Sequence, residues 1–243
     1  MSKLTQGRNP CNDTEEASFL VQAKRFSAEP EGPPARREIV LPEPTALIEN
    51  HEVVLQLFPE KPMLPGLETP RLNLRPLELA DARQIQNIFP HWEIVRFLAK
   101  RVPWPYPPGG ALTYCRDIAL PAMARGEEWH WTLRLKTHPL QIIGCISLMQ
   151  AENHNRGFWM GLPWQGKGLM SEAVETVTEY WFNELGFPAL RAPKAILNIA
   201  SRKISERTGM RVIAVEEREY VSGRLPSEIW EVTAEEWRTR GKR

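Results

Sequence analysis

The stretch Gln165-Gly166-Lys167-Gly168-Leu169-Met170 decides how this chain folds and what it can hold. Two glycines flank a lysine directly before the strongest amphipathic segment of the sequence. From Met170 the apolar residues Ala173, Val174, Val177, Trp181 and Leu185 form one stripe at the helical period, while Glu172, Glu175 and Glu179 fall outside it. Gly186 followed by Pro188 stops that helix. Upstream, Phe158-Trp159-Met160 reads as a short apolar strand ending at Gly161. Glycines let a backbone turn sharply and come close to a ligand. The first N–H groups of a helix have no intrahelical partner, and its dipole favours negative charge there. Lys167 adds a cation, so the turn suits a pyrophosphate. It is not a Walker loop, because Gly168 stands where Ser or Thr would follow the lysine. Nor is it a dinucleotide fingerprint, because Ser171 occupies the third glycine position. A lone Gly-x-Gly is also compatible with a plain flexible turn, so the surrounding elements have to narrow the reading.

Working outward, Lys194 to Leu197 reads as a short strand. Asn198 can cap the helix that follows, and Gly209 ends it. Val212 to Val221 and Glu228 to Val232 form a hairpin around Ser222-Gly223-Arg224. On the other side, Arg71 to Arg75 alternates as a half-buried strand, and Ala82, Ile85, Ile88 and Phe89 recur at helical spacing. A proline-rich loop, Pro103 to Gly110, leads into a second helix marked by Leu112, Cys115, Ile118, Ala119 and Ala122 and disturbed at Pro121. Trp129 to Leu135 is a strand, Lys136 to Leu140 a turn, and Ile142 to Met149 the returning strand. The order β-α-α-β-β-β-α-β-α-β-β predicts an α/β domain with a mixed sheet.

Composition bounds the rest. The 243 residues suffice for one substantial domain and an extension. Residues 1–65, with Pro30, Pro33, Pro34, Pro42, Pro44, Pro59, Pro62 and Pro65, read as a poorly ordered extension with one candidate helix near Thr14 to Arg25. Residues 66–243 form the domain. Thirty-one basic residues balance thirty acidic ones, which argues against a dedicated nucleic-acid binder. No apolar run has the length of a membrane span, and the first residues lack the apolar core of a secretory signal. Cys11, Cys115 and Cys145 have no metal-ligand spacing and suit free thiols in a reducing cytoplasm, and the five histidines form no metal pair.

The segment Asn198-Ile199-Ala200-Ser201 to Gly209-Met210, about thirty residues after the glycine turn, narrows the reading. Trp159-Met160, the turn with Ser171-Glu172-Ala173, and Asn198-x-x-Ser201 together resemble the GCN5-related N-acetyltransferase (GNAT) family. Within it they look most like the branch of ribosomal-protein alanine N-acetyltransferases. The resemblance covers roughly residues 67–237. It implies a mostly antiparallel central sheet, flanked by helices and splayed at the strand that holds the cofactor.

That resemblance implies acetyl-coenzyme A as cofactor. The backbone of Phe158, Trp159 and Met160 would pair with its pantetheine arm, and Gln165, Gly166, Lys167, Gly168, Leu169 and Met170 would hold its pyrophosphate. An amide at or near Met160 would polarise the thioester carbonyl. Asn198 matches the family's asparagine near the pantetheine and is equally readable as a helix cap. Ser201 matches a serine near the coenzyme sulfur, and Ser205 a position where many members carry an acidic tyrosine. The two serines are four apart and share a helix face. Many relatives carry a glutamate base where this chain has Asn155, which leaves Glu152, His154 or water as substitutes. Trp104, Tyr106, Trp129 and Trp131 are candidates for the acceptor pocket, although Trp129 and Trp131 fit core packing better. Arg202 and Lys203 are candidates for the adenosine phosphate. The expected reaction is direct attack by an amine in a ternary complex on a monomer or homodimer. The favoured acceptor is a protein N-terminal α-amine. A small-molecule amine (amino acid, polyamine or antibiotic) and a non-catalytic acyl-coenzyme-A-binding module are the alternatives.

Overall fold

A computed structural model describes residues 64–240. Residues 1–63 of the N-terminal extension, with its candidate helix and Cys11, lie outside the described residues. Leu64 packs on the domain core, and the Pro65 carbonyl accepts a hydrogen bond from Trp131 Nε1 at 2.9 Å.

Strands β1 (Leu67–Glu68), β2 (Leu72–Pro76), β3 (Glu128–Leu135), β4 (His138–Met149) and β5 (Arg156–Met160) form one antiparallel sheet in that order. Strands β6 (Ala189–Ala195), β7 (Arg211–Tyr220) and β8 (Gly223–Thr233) form a second, ordered β6-β8-β7. Helices α1 (Ala82–Ile88), α2 (Trp92–Val95), α3 (Gly110–Tyr114) and α4 (Leu120–Arg125) lie between β2 and β3. Helix α5 (Leu169–Asn183) joins β5 to β6, α6 (Ile199–Arg207) precedes β7, and α7 (Ala234–Thr239) ends the domain. This is the α/β architecture expected, with every ladder antiparallel and the splay carried to a complete split between β5 and β6.

Alternation along the strands feeds two cores. Leu72, Leu74, Trp131, Leu133, Ile146 and Leu148 face α5, whose Met170, Ala173, Val174, Val177 and Trp181 bury as their spacing predicts. Leu190, Ala192, Trp230 and Val232 of the second sheet join the same core, so α5 fastens both sheets. Each fully buried side chain of that size contributes roughly 1.5–3 kcal/mol. The opposite face of the first sheet carries Leu77, Ala82, Ile85, Phe89, Ala111, Cys115 and Ala119.

Several expectations change, and β4 and β8 begin earlier than expected, at His138 and Gly223. The second helix is interrupted by a π segment, Cys115–Ala119, just before Pro121. Proline has no N–H to give and crowds the carbonyl four residues back, and widening the turn accommodates both. Its buried stripe is Ala111, Cys115, Ala119 and Ala122, which leaves Leu112 and Ile118 exposed. Strand β6 begins at Ala189, earlier than expected, because pairing from Ala189 with Thr233 to Ala195 with Ser227 outweighs the poor strand propensity of Pro193.

Candidate active site

The split between β5 and β6 is built into both backbones. Gly161 N–H donates to Ile143 on β4 (2.9 Å), so by alternation Trp159 also faces β4, while the polar groups of Phe158 and Met160 face away from it. On β6, Ile196 N–H donates to Pro226 beside β8 (3.0 Å), so Arg191, Pro193 and Ala195 turn their polar groups toward β5. The strands meet at one point. Asn155 N–H donates to the Arg191 carbonyl (2.7 Å), and Asn155 Oδ1 accepts from Arg191 N–H (2.8 Å). The next residue of β6 that could donate is Pro193, which has no N–H. The ladder cannot continue past it, and a cleft opens along Phe158 and Met160.

At the far end of β5, Gln165 Nε2 donates to the Met160 carbonyl at 2.8 Å and ties the strand to the glycine turn. Gly166 (φ 73°) and Gly168 (φ 75°) are left-handed, a conformation glycine adopts without strain. A Cβ on Gly166 would meet nothing within 4 Å, so its face is open. The first N–H at the start of α5 to find an acceptor is that of Glu172, on the Gly168 carbonyl at 3.2 Å. From Gly166 to Ser171 the amides have no acceptor among the described residues. That run of donors at a helix N-terminus suits an anion such as a pyrophosphate.

A second cation stands there that the sequence reading missed. Arg71 Nη1 donates to the Lys167 carbonyl (3.0 Å), Arg71 Nε pairs with Glu172 (2.7 Å), and Arg71 Nη2 lies 3.5 Å from the Cβ position of Gly168. Burial alone would raise the Glu172 carboxyl, but hydrogen bonds from Thr69 and Arg71 outweigh it and keep the group ionised. No local signal in the sequence joins residues so far apart.

Helix α6 follows directly from β6, with Asn198 N–H donating to the Ala195 carbonyl at 2.8 Å. Asn198 Oδ1 accepts from Ser201 N–H at 3.3 Å, so the capping role is real, and its amide nitrogen remains unpartnered among the described residues. Ser201 and Ser205 are both buried on the inner face, and Ser205 Oγ has no hydrogen-bond partner.

The model of the acetyltransferase (GNAT) domain family matches residues 71–211, more than half of the chain. The chain belongs to the GNAT family of acetyl-coenzyme-A-dependent N-acetyltransferases. A probable N-acetyltransferase of Bacillus subtilis, YjcK, is 28% identical over 92 residues, 36% of this chain and 50% of that protein. The chain thus matches about half the length of that curated relative. The fold is similar to that of a ribosomal-protein-S5-alanine acetyltransferase from Vibrio fischeri, with TM-score 0.61 and 17% identity over 71% of this chain and 98% of that one. It is also similar to a Vibrio cholerae spermidine N-acetyltransferase in complex with coenzyme A and spermine, with TM-score 0.58 and 17% identity over 68% and 97% of the two chains.

On this GNAT scaffold, the residue standing where many relatives carry the glutamate base is structural. Besides its bonds to Arg191, the Asn155 amide donates to the Met149 and Ala151 carbonyls (3.2 and 2.8 Å). Glu152 is exposed beside it. Burial, reinforced by the positive charges of Arg101, Arg218 and Lys194, pushes His154 down to about 4, so it is neutral at ordinary pH but a weak base.

Across the side of the sheet that faces α1 and α3, His130, Ser147 and Gly157 stand side by side on β3, β4 and β5. His130 Nε2 lies 2.6 Å from Glu128 Oε2, and the His130 ring meets the Tyr114 ring edge-on at 6.2 Å. The hydrogen bond from His130 holds the Glu128 carboxyl below its ordinary range. The alternation that makes Trp129 and Trp131 conspicuous also hides His130 between them.

Trp129 and Trp131 do not line this side. Both turn toward α5, where Trp129 meets Trp181 at 6.1 Å and Trp131 is fully buried. Tyr106 packs on Phe89, and Trp104 on Trp92. Arg202 is committed to Glu228 at 2.8 Å, which leaves Lys203 as the exposed member of that pair. Burial raises the Cys115 thiol to about 11 and the Cys145 thiol well above its ordinary value, so neither is a ready nucleophile. Among the described residues no group of side chains could hold a metal, and no helix is long and apolar enough to cross a membrane.

Proposed function

We propose that this protein transfers an acetyl group from acetyl-coenzyme A to an α-amine, by direct attack within a ternary complex. The observation that carries the reading is the alignment of the Phe158–Met160 edge with the donor-rich turn, tied together by Gln165. The amides of Phe158 and Met160 pair with the pantetheine, and Trp159 braces the strand from behind against Phe89 (5.2 Å). Gly166, Lys167, Gly168, Leu169 and Met170, with Arg71, hold the pyrophosphate. Asn198 offers its amide to the pantetheine arm. Ser201 donates to the departing sulfur, with Ser205 second.

The acceptor follows from what the site can do with a proton. An α-amine has a pKa near 8, so neutralising it at pH 7 costs roughly 1–2 kcal/mol, against roughly 4–5 for a lysine side chain. A site with Asn155 in place of a glutamate suits the cheaper proton. Water removes it, relayed by Glu152, His154 or the Glu128–His130 pair. The positive charges of Arg101, Arg218 and Lys194 around His154 disfavour a polyamine, which would bring more positive charge. A protein N-terminus is therefore the favoured class, in keeping with the likeness of the fold to a ribosomal-protein-S5-alanine acetyltransferase.

The test is thiol release from acetyl-coenzyme A on addition of peptides with a free N-terminus, the same peptides N-blocked but carrying lysine, and spermidine. Release with the first alone supports the reading. Release with spermidine alone refutes the acceptor assignment, and no binding of acetyl-coenzyme A at millimolar concentration refutes the whole reading. Ser201→Ala should lower turnover more than affinity.

A further inference from the structure

On the α5 and α6 side of the cleft two polar atoms are buried without partners, and beside them stands a buried lysine whose ammonium has no hydrogen bond but is not enclosed. Ser205 Oγ and Arg156 Nε are fully enclosed and unbonded. Lys194 is 6% exposed and forms no hydrogen bond or ion pair among the described residues, and its Nζ lies 4.7 Å over the Phe158 ring. The three are contiguous. Arg156 Nη2 meets the Met210 sulfur at 3.2 Å, and Met210 N–H donates to the Ser205 carbonyl at 3.0 Å. Arg156 is also the charge that acts on Lys194. Its other contact is uncharged, Nη1 donating to Thr178 Oγ1 at 2.8 Å on α5. No carboxylate pairs with either cation among the described residues. Buried polar groups are nearly always bonded, and an orphaned set needs a cause.

Every member of this set can donate a hydrogen bond, so the set is complementary to negative charge that forms only during reaction. Acetyl transfer makes such a charge at the coenzyme sulfur. We propose that Lys194, backed by Arg156, receives the sulfur of coenzyme A as its bond to the acyl carbon breaks and hands it a proton. This rests on the acetyl-coenzyme-A reading above. The acceptor nitrogen forms its bond to the acyl carbon, and the electron pair of the carbon–sulfur bond goes to sulfur. The Lys194 ammonium gives its proton to that sulfur, leaving a free thiol and a neutral amine. The proton shed by the acceptor nitrogen reaches Lys194 through solvent, so amine and thioester become amide and thiol. Burial and the like charge of Arg156 make Lys194 a stronger acid than an ordinary lysine and bring it nearer to a thiol. The other titrating group that feels Lys194 is His154, which stays neutral above about pH 5.

Calorimetric affinities of the full chain for coenzyme A and for desulfo-coenzyme A test this without an acceptor, because everything but the sulfur cancels. The wild type should prefer coenzyme A by at least about tenfold near pH 9, with a smaller preference near pH 7 where the thiol is protonated. Lys194→Met should shrink the preference to within about twofold, and Lys194→Arg should keep part of it. Lys194→Gln, which keeps a hydrogen-bond donor but carries no charge, should also narrow it and stands in should Lys194→Met fail to fold. Equal wild-type affinity for the two ligands at both pH values overturns the proposal while leaving acetyl-coenzyme A binding intact. Failure of both ligands to bind overturns the underlying reading and this proposal with it.

Discussion

Gly168→Asp separates the two things the glycine turn does. Gly168 sits at φ 75°, where an L-residue costs roughly 1–2 kcal/mol. The new Cβ meets only Arg71 Nη2, at 3.5 Å, an ordinary contact, so no steric term adds to the strain. The domain should therefore stay folded, with Tm lowered by about 2–8 °C. The carboxylate, however, stands at the head of α5 among amides that face a pyrophosphate. At about 5 Å and an effective dielectric of about 40, two unit charges repel by about 1.7 kcal/mol, and a diphosphate presents two of them. Competition for Arg71 works in the same direction. Affinity for acetyl-coenzyme A should fall by about 100-fold, while S-acetyl-pantetheine, which has no pyrophosphate, should bind mutant and wild type alike. Calorimetry with both ligands reads the two effects. Unchanged affinity for acetyl-coenzyme A would refute the placement of the pyrophosphate, and equal losses for both ligands would mean that the substitution damaged the cleft instead.

Two further outcomes follow from the same geometry. Asn155→Asp should not create the missing base. One oxygen can still accept from Arg191, but the other would face the Met149 and Ala151 carbonyls, so urea denaturation should show a loss of roughly 2–3 kcal/mol and thiol release should not rise. His154 has its pKa depressed from 6.5 to about 4, so between those values the unfolded chain binds more protons. Its contribution is fully present above about pH 6.5 and is lost as pH falls through about 4; His154→Gln should flatten the rise of the urea midpoint across that window.

Much of the site was legible because it is local. The turn, its lysine and the helix behind it are contiguous, and their spacing carries both period and chemistry. Asn198 as a cap and Gly209 as a terminator are likewise decisions made within a few residues. Arg71 was not legible, since it reaches Lys167 only after β2 has paired in the sheet. Arg156 and Lys194 were not legible either, because isolation from any carboxylate is a property of a packed interior.

The helical and strand periods, the positive φ that only glycine takes easily, and the unfilled amides at a helix start are all short-range physics. By itself, therefore, the sequence determined the order of elements and a turn suited to a pyrophosphate, and its resemblance to the GNAT family implied the acyl carrier. Tertiary structure alone decided which side of β3 each aromatic faces, that Asn155 latches two strands instead of taking a proton, and that the ladder stops at Pro193. Those outcomes depend on registers and contacts between segments far apart in the chain, where burial and the loss of water, rather than any local preference, set what each polar group can do.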